Sequence, residues 1–441
     1  MSRQSRQSAA RWARFVIPAA VMFAASLPLL SAQTATTRRS RAATSPANAG
    51  APAGPAAAAS SNLDVDALRA AYLRPPDQWP AATWDESIPP AERRELGKVP
   101  EVSFPAHNLF SAEKAELGRR LFFDPRLSGS SFIACVSCHH PDLGWTDGKA
   151  NSQGHQLQPL DRNAPTVMGA AFSKQLMWDG RAESLEDQAL LPLANAKEMH
   201  GEFGDVEKTI NAIPEYRADF KKIFDEERVT IRLIAKALAT FQRTIVPGRS
   251  RFDFFLNGKA NALSDAELRG LHLFRTKARC INCHGGPLLT DGQLHNIGLT
   301  YYRRKFQDLG RYEETREPTD VGKFKTPMLR NLGRTGPYMH NGLFEFDGVI
   351  NLYNAGMPNE KAPPGDPLAP KKSHLLKKLA LTKQERADLT EFLIDALEEP
   401  RLRVRAPALP GLYGADPTTA PTTGPADDGP DPAADAVAPA D

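Results

Sequence analysis

One stretch of sequence occurs twice in this chain, and each copy carries the same cysteine motif. The segment AELGRRLFFDPRLSGSSFIACVSCHHPDLGWTDG begins at Ala115, and the segment AELRGLHLFRTKARCINCHGGPLLTDG begins at Ala266. Both contain, in the same order, an Ala-Glu-Leu segment, a Leu-Phe pair, a Cys-x-x-Cys-His sequence and a Thr-Asp-Gly turn. A repeat of this kind indicates two related domains, one for each motif.

The four cysteines of the chain all belong to these two motifs. The motifs are Cys135-Val136-Ser137-Cys138-His139 and Cys280-Ile281-Asn282-Cys283-His284. In such a sequence the two thiols can form thioethers with the vinyl groups of a haem, while the adjacent imidazole reaches the iron. A zinc site or a redox-active cysteine pair is the alternative, but the adjacent histidine and the duplication favour haem. The sequence therefore predicts two covalently bound haem c groups, with His139 and His284 as the proximal iron ligands.

The start of the chain has the pattern of a secretory signal peptide. Four arginines within the first fourteen residues precede a 16-residue apolar run from Phe15 to Leu30. An uncleaved membrane anchor is the alternative, but the run contains Pro18 and Pro28 and is shorter than the roughly 20 residues that a spanning helix needs. We expect cleavage near Ala32, export to the periplasm and no stable membrane span. Without these four arginines, 51 of the 55 basic residues remain against 52 acidic ones, which argues against nucleic-acid binding.

Composition divides the rest of the chain into tails and a folded middle. Residues 33–62 are rich in Ala, Pro, Ser and Thr, and residues 406–441 are rich in Pro, Ala, Thr and Asp. Both have too few large apolar groups to offset the entropy of ordering, so they are predicted to be disordered. The predicted organisation is signal peptide 1–32, linker 33–62, N-terminal haem domain 63–245, C-terminal haem domain 246–405 and tail 406–441.

Helical patterns dominate between the tails. Apolar residues recur at spacings of three and four along residues 231–245. The pairs Ser264 with Glu267 and Thr382 with Glu385 have the spacing of capping boxes at helix starts. No run alternates convincingly between apolar and polar residues, and many Pro and Gly residues indicate long loops. The predicted fold class is mainly α.

Three further segments carry a resemblance to a known family. They are RNAPT at residues 162–166, WDGRAESLEDQALLPLANAKEM at 178–199 and FKTPMLRNLGRTGPYMHNG at 324–342. With the two motifs, they make residues 110–400 resemble the bacterial di-haem cytochrome c peroxidase and MauG superfamily. The resemblance implies two cytochrome c-like helical domains with a calcium ion between them. It also implies reduction of hydrogen peroxide at the first haem, with the second haem taking electrons from a small soluble cytochrome c or cupredoxin. Relatives form dimers, so a homodimer is among the expected states.

The resemblance assigns roles to four residues around the first haem. Trp178 matches the family tryptophan that relays electrons between the haems, and a buried structural tryptophan is the alternative. Glu198 matches the acid above the peroxidatic iron, where a carboxylate can move a proton between the two peroxide oxygens. Without the resemblance, a solvated helix charge would be expected there. Gln188 and Pro192 match positions that shape the distal pocket, although Pro192 also suits simple packing.

The resemblance also implies further metal ligands. His155 lies sixteen residues after His139, the spacing of the histidine that caps the peroxidatic iron before reductive activation; a surface histidine is the alternative. Asn163, with the backbone carbonyls of Thr335 and Pro337, matches the calcium site between the haems. Oxygen ligands suit this hard cation.

The sequence departs from the typical peroxidase at the second haem. A peroxidase has a methionine fourteen residues after the position of His340, but this chain has Asn354 there, with Tyr353 before it and Met357 after it. A tyrosine ligand is typical of the MauG type, so Tyr353 is favoured over Met357 as the ligand. The alternative is that both residues only pack.

Three functions are compatible with these features: a peroxidase, which we favour, a MauG-like enzyme that oxidises a partner protein, or a di-haem electron carrier without chemistry.

Overall fold

The computed structural model describes residues 64–400 and 404–411. The predicted signal peptide, the predicted linker and most of the predicted tail therefore lie outside the described residues. Within the described ranges, none of the helices combines the length and the apolar character that crossing a membrane requires.

The described chain is mainly helical, as the sequence predicts. Short 3-10 turns and loops connect the helices. Two three-residue strands, β1 (Leu294–Asn296) and β2 (Lys323–Lys325), pair antiparallel with Leu294 opposite Lys325. The helices are α1 (Val65–Tyr72), α2 (Ala112–Phe123), α3 (Leu185–Ala194), α4 (Phe203–Asn211), α5 (Pro214–Phe224), α6 (Ile231–Arg243), α7 (Arg251–Leu256), α8 (Asp265–Arg275), α9 (Tyr312–Thr315), α10 (Phe346–Asn354) and α11 (Lys383–Glu391), which continues as a π-helical turn over Phe392–Ala396.

The two predicted capping boxes are confirmed. At the start of α8, the Ser264 hydroxyl accepts the backbone N–H of Glu267 at 3.1 Å, and the Glu267 carboxylate accepts that of Ser264 at 2.7 Å. Thr382 and Glu385 make the same pair of bonds at the start of α11, at 3.2 and 2.7 Å. Each box satisfies two backbone donors that the first turn of a helix would otherwise leave free.

The first hydrophobic core is built around the contact between α2 and α6. Gly118 on α2 lies so close to α6 that an added Cβ atom would be 2.0 Å from the carbonyl oxygen of Ala237. Only glycine permits this approach of the two backbones. Cys135 and Val136 of the first motif pack against this core. The buried side chains of the first core include Leu117, Leu121, Phe122, Trp145, Ile234, Leu238 and Phe241.

The second core repeats this construction with α8 and α11. An added Cβ atom at Gly270 on α8 would lie 2.1 Å from the carbonyl oxygen of Asp388 on α11. Cys280 and Ile281 of the second motif pack in this core. The two copies of the sequence repeat therefore place a glycine-mediated helix contact beside each cysteine motif. The buried side chains of the second core include Phe252, Leu268, Leu271, Phe274, Leu389, Phe392 and Leu393.

Residues 64–97, which we call the N-terminal strap, precede the first core in sequence but pack on the second. Tyr72 and Leu96 are buried there. The guanidinium of Arg275, on α8, donates from Nε to Glu95 at 2.8 Å and from Nη1 to the hydroxyl of Tyr72 at 2.8 Å. The predicted division into haem domains 63–245 and 246–405 stays a prediction.

Candidate active site

The first cysteine motif presents its histidine in a fixed orientation. Cys135 begins a 3-10 turn, and the backbone N–H of His139 donates to the carbonyl of Cys135 at 3.0 Å. The ring Nδ1 of His139 donates to the carbonyl of Trp145 at 3.1 Å, which leaves Nε2 available for a metal. Burial lowers the pKa of His139, so the imidazole is neutral, as a metal ligand must be.

The second motif has the same geometry. The backbone N–H of His284 donates to the carbonyl of Cys280 at 2.8 Å, and its Nδ1 donates to the carbonyl of Leu289 at 3.0 Å. Burial also lowers the pKa of His284. The two histidines are thus held in the same tautomer, each with Nε2 free.

The thiols of both motifs fit covalent haem attachment better than thiol redox chemistry. All four cysteines are free of disulfides. Burial raises the pKa to about 12 for Cys135, Cys280 and Cys283, and to about 11 for Cys138. Redox-active cysteines need a stable thiolate and therefore a low pKa. Pairs of partly buried, protonated thiols beside an oriented imidazole fit a haem with two thioether links.

All four predicted catalytic residues meet in one cavity of about 830 Å³ beside the first motif. Helix α3 contributes two of them, because positions four residues apart share a helix face. The cavity is also lined by residues 306–308 and 313–314, from the second half of the sequence. The cavity walls therefore include Cys135, Cys138, His139, Trp178, Gln188, Pro192 and Glu198.

Glu198 occupies a defined position in this cavity. It follows α3 in a turn, where its backbone N–H donates to the carbonyl of Asn195 at 3.0 Å. The side-chain amide of Asn195 donates to the Glu198 carboxylate at 2.8 Å. Burial raises the pKa of Glu198 above its usual value, although the charge of Arg181 and the Asn195 bond partly oppose this. A partly buried carboxyl group with a raised pKa is suited to exchanging protons.

Trp178 lies between the first cavity and a second one of about 820 Å³ and lines both. The second cavity also contains residues 286–288, which follow the second motif. The indole Nε1 of Trp178 donates to the carbonyl of Asn163 at 2.8 Å, and its own carbonyl accepts from the backbone of Lys325 at 2.7 Å. Its ring meets His340 edge-on, with the centroids 6.4 Å apart. The indole is therefore anchored where it borders both cavities.

The three residues predicted to bind calcium border one cavity. Asn163, Thr335 and Pro337 all line the second cavity. The Asn163 amide nitrogen donates to the carbonyl of Lys149 at 2.8 Å, so the amide oxygen is left to face other partners. One side-chain oxygen with two backbone carbonyls is a donor set that fits Ca²⁺.

His155 is not among the residues that line the first cavity. Its ring stacks on His200 with the centroids 4.5 Å apart, and its backbone N–H donates to the carbonyls of Lys197 and Glu198. Its Nδ1 is buried and has no hydrogen-bond partner within residues 64–400 and 404–411. The structure thus places His155 beside the turn that carries Glu198 but does not bring its ring together with the catalytic residues.

Tyr353 lies near the second motif. It shares a face of α10 with Val349 and Ile350, and Ile350 belongs to the second core. Burial raises the pKa of the Tyr353 phenol strongly, and the nearby thiols of Cys283 and Cys280 would raise it further when charged. The phenol is therefore close enough to both cysteines of the second motif to be influenced by their charge.

Met357 has a structural role at the end of the same helix. Its backbone N–H donates to the carbonyl of Leu352 at 2.8 Å, and that of Gly356 donates to Tyr353 at 2.9 Å. These two bonds form a Schellman motif, in which the residue at the position of Met357 commonly packs against the helix. The burial of Met357 follows from this capping geometry without a metal.

Sequence reasoning missed an ionic network at the first cavity. Arg162 pairs with Asp179 and donates to both oxygens of Asp308 at 2.6 and 2.8 Å. Arg181 donates to Asp179 at 2.6 Å. Three of these residues lie in the RNAPT and WDGRA segments, but their partner Asp308 carries no sequence signal because it is 146 residues from Arg162.

Comparisons with known proteins agree with this arrangement. The family model described as di-haem cytochrome c peroxidase matches residues 112–261. Cytochrome-c peroxidase IdrP1 of Denitromonas iodatirespirans is 38% identical over 365 residues, which cover 76% of this chain and 93% of IdrP1. Methylamine utilization protein MauG of Methylorubrum extorquens is 35% identical over 401 residues, 90% of this chain and 100% of that protein. A crystal structure of a MauG-like protein associated with microbial copper homeostasis is 34% identical, with a TM-score of 0.62, and the match covers 71% of this chain and 95% of that one.

The chain belongs to the di-haem cytochrome c peroxidase family. Its relatives include both cytochrome c peroxidases and MauG proteins. Membership implies haem c cofactors and oxidoreductase chemistry, consistent with the two motifs and the cavity beside the first of them.

Proposed function

We propose that this protein reduces hydrogen peroxide to water with electrons from a small periplasmic cytochrome c or cupredoxin. The observation that carries the proposal is the partly buried carboxyl group of Glu198, which lines a cavity together with His139 and both cysteines of the first motif. A site that only carries electrons has no need for an acid with a raised pKa beside an open space. A named peroxidase among the relatives supports the same reaction.

The chain's own residues supply the proton chemistry. A haem held by Cys135, Cys138 and His139 would supply the redox chemistry, that is, the electrons for reduction of the substrate. Glu198, as a carboxylate, takes the proton from the near peroxide oxygen and gives it to the far oxygen, so that water is the leaving group. One peroxide, two electrons and two protons give two molecules of water. Gln188 and Pro192 bound the space in which the peroxide is held.

The remaining roles follow from this proposal. His284 holds the haem that receives electrons from the donor, and Trp178 relays them to the first site. Asn163, with the carbonyls of Thr335 and Pro337, binds Ca²⁺ between the two sites. A capping role for His155 requires its ring to leave the stack with His200.

The organisation expected from the sequence completes the proposal. The signal peptide 1–32 directs the chain to the periplasm, where the donor is found, and the folded part consists of haem domains 63–245 and 246–405. A homodimer is among the expected assemblies.

The test is steady-state oxidation of a reduced soluble cytochrome c or cupredoxin by hydrogen peroxide, using the holoprotein with and without pre-reduction. We expect rapid donor oxidation, and Glu198→Gln should lower turnover by roughly 10²–10⁴-fold with both haems retained. The matched control is Glu202→Gln, an exposed carboxylate four residues later, which should leave turnover unchanged. Near-normal turnover of the Glu198 variant would place the proton carrier elsewhere, and no peroxide consumption by any form would indicate an electron carrier.

A MauG-like enzyme is the second candidate, and the position of Tyr353 favours it. An anionic phenolate oxygen stabilises high oxidation states of iron, as storage of oxidising equivalents for a partner protein would require. In the same assay, such an enzyme would consume peroxide once and stay oxidised without turning over the small donor. Continuous donor oxidation would exclude this candidate.

A further inference from the structure

The Thr-Asp-Gly turn of the sequence repeat has the same local structure in both copies. Asp147 accepts the backbone N–H of the residue two positions later at 3.1 Å, and Asp291 does the same at 2.9 Å, each through Oδ1. The preceding threonine hydroxyl accepts the backbone N–H of the following glycine at 3.3 Å in the first copy and 3.0 Å in the second. The two aspartates are therefore equivalent residues of one duplicated turn.

Their second carboxylate oxygens differ. Asp291 Oδ2 accepts a hydrogen bond from His295 Nε2 at 2.8 Å, four residues along the chain. In the first copy the residue four positions after Asp147 is Asn151, and Asp147 Oδ2 is buried without a hydrogen-bond partner in the described residues. In the second copy a histidine therefore donates a hydrogen bond to the Oδ2 atom of the aspartate, whereas in the first copy this oxygen has no partner within the described residues.

Both carboxylates lie beside their motif. The side-chain ligand atoms of Asp291 and His295 lie within 4.8 Å of each other and of the Cys283 sulfur. In the first copy, burial dominates the pKa values of Cys138 and His139, but the charge of Asp147 raises both. Asp147 is itself buried, so its charge acts on the first site through a medium that screens poorly.

A partly buried lysine strengthens the difference between the two copies. Lys325 lies opposite Leu294 in the β1–β2 pair, and burial lowers its pKa while the charge of Asp291 opposes this. At the first site the corresponding nearby cation is Lys149, whose side chain is exposed to solvent. The second site therefore combines a carboxylate with a histidine and a partly buried lysine, and the first retains an uncompensated negative charge.

We propose that this asymmetry of one duplicated turn separates the reduction potentials of the two haems: Asp147 lowers the potential at the first motif, whereas His295 and Lys325 cancel the same influence of Asp291 at the second. A negative charge near an iron stabilises its oxidised form, and charge and hydrogen bonding around the cofactor are main determinants of its potential. The inference rests on the proposed function for the presence of a haem at each motif. Asp147 and His295 act on the two haem sites electrostatically, and neither side chain touches the substrate.

The test is a redox titration of the holoprotein in which each haem is followed by its own absorbance and electron paramagnetic resonance signals. Asp147→Asn should raise the potential of the first haem and leave the second unchanged. His295→Asn, which gives the second copy the residue that the first copy has, should lower the potential of the second haem alone. The controls are Asp142→Asn and His107→Asn, which change an exposed aspartate and an exposed histidine and should shift neither potential.

The titration separates this inference from the proposed function. If both variants retain two haems per chain and neither potential moves in the expected direction, the inference is wrong, whatever the peroxide assay gives. If Asp147→Asn fails to fold, His295→Asn decides the matter by the same measurement. If the potentials shift as expected but the unmodified protein does not reduce peroxide with a donor, the charge asymmetry stands and the peroxidase proposal fails.

Discussion

At the scale of single residues, the protonation of Glu198 sets how peroxide turnover depends on pH. The carboxylate form must accept the first proton, so activity falls as the pH drops through the pKa of this group. Because burial raises that pKa above the ordinary 4.5, kcat/KM should reach half its maximum on the acid side at a pH above 4.5. A profile of kcat/KM against pH at saturating donor checks this.

The charge of Arg181 supplies an internal control for that profile. Its positive charge lowers the pKa of Glu198 against the larger effect of burial. Arg181→Gln should therefore move the acid limb to higher pH. If the acid limb lies at or below pH 4.5 and Arg181→Gln does not move it, another group carries the proton.

The ligand of the second haem is also decided by a single residue. The charges of Cys280 and Cys283 act on the Tyr353 phenol, and Met357 is held in the Schellman cap of α10. Tyr353→Phe should therefore change the electron paramagnetic resonance signal and the potential of the second haem, whereas Met357→Leu should change neither. If Met357→Leu alone does so, and the unmodified protein has a thioether charge-transfer band, the tyrosine hypothesis is wrong and an ordinary peroxidase becomes the stronger case.

At the scale of secondary-structure elements, the glycine of each repeat controls how closely two helices pack. A methyl group at Gly118 would lie 2.0 Å from the Ala237 carbonyl oxygen, so Gly118→Ala must push α2 and α6 apart. We expect a loss on the order of 3 kcal/mol in the free energy of unfolding. Gly204, in the first turn of α4, has no neighbour within 4 Å of an added Cβ atom. Gly204→Ala should instead stabilise the protein by about 0.5 kcal/mol, because it restricts the unfolded chain.

Denaturant unfolding of the two variants, followed by circular dichroism, gives both values. Equal effects of the two substitutions would show that the close contact of α2 with α6 contributes nothing particular to stability.

Elements governed by local chemistry could be predicted from the sequence. The capping boxes at Ser264 and Thr382 depend on residues that are three positions apart. The helix over Ile231–Arg243 depends on a regular apolar face. Both kinds of element could therefore be predicted from local sequence. The strands β1 and β2 have three residues each, too few for alternation to be recognised. Their pairing depends on contacts between distant segments, as does that of Arg162 with Asp308. The cysteine motifs were the most predictable part of the site, because attachment and iron ligation need residues that are adjacent in sequence.

At the scale of the whole molecule, chain order does not reveal which core a segment joins. The N-terminal strap directly precedes the first core in sequence, yet Leu68, Tyr72 and Leu96 are buried in the second. The residues that hold the strap in place lie on α8 and in or beside the second motif. Asn282, within that motif, accepts the backbone N–H of Asp85 at 2.7 Å, and Gly286 donates to the carbonyl of Arg94 at 2.9 Å. A sequence pattern carries no record of such contacts, because each joins residues almost 200 positions apart.

The strap makes a prediction about how the two halves of the molecule lose structure. The Arg275 side chain is 1% exposed and pairs with Glu95 on the strap at 2.8 and 2.5 Å. Glu95→Ala leaves a buried guanidinium with only the neutral acceptors Tyr72 and Pro80, which should cost on the order of 3 kcal/mol. Because this pair belongs to the second core, the spectral signal of the second haem should be lost at a lower denaturant concentration than that of the first. Unfolding followed separately at each haem, with the exposed strap residue Glu92→Ala as the control, measures the difference. Simultaneous loss of both signals in the Glu95 variant would instead mean that the strap, both cores and both haem sites unfold as one cooperative unit.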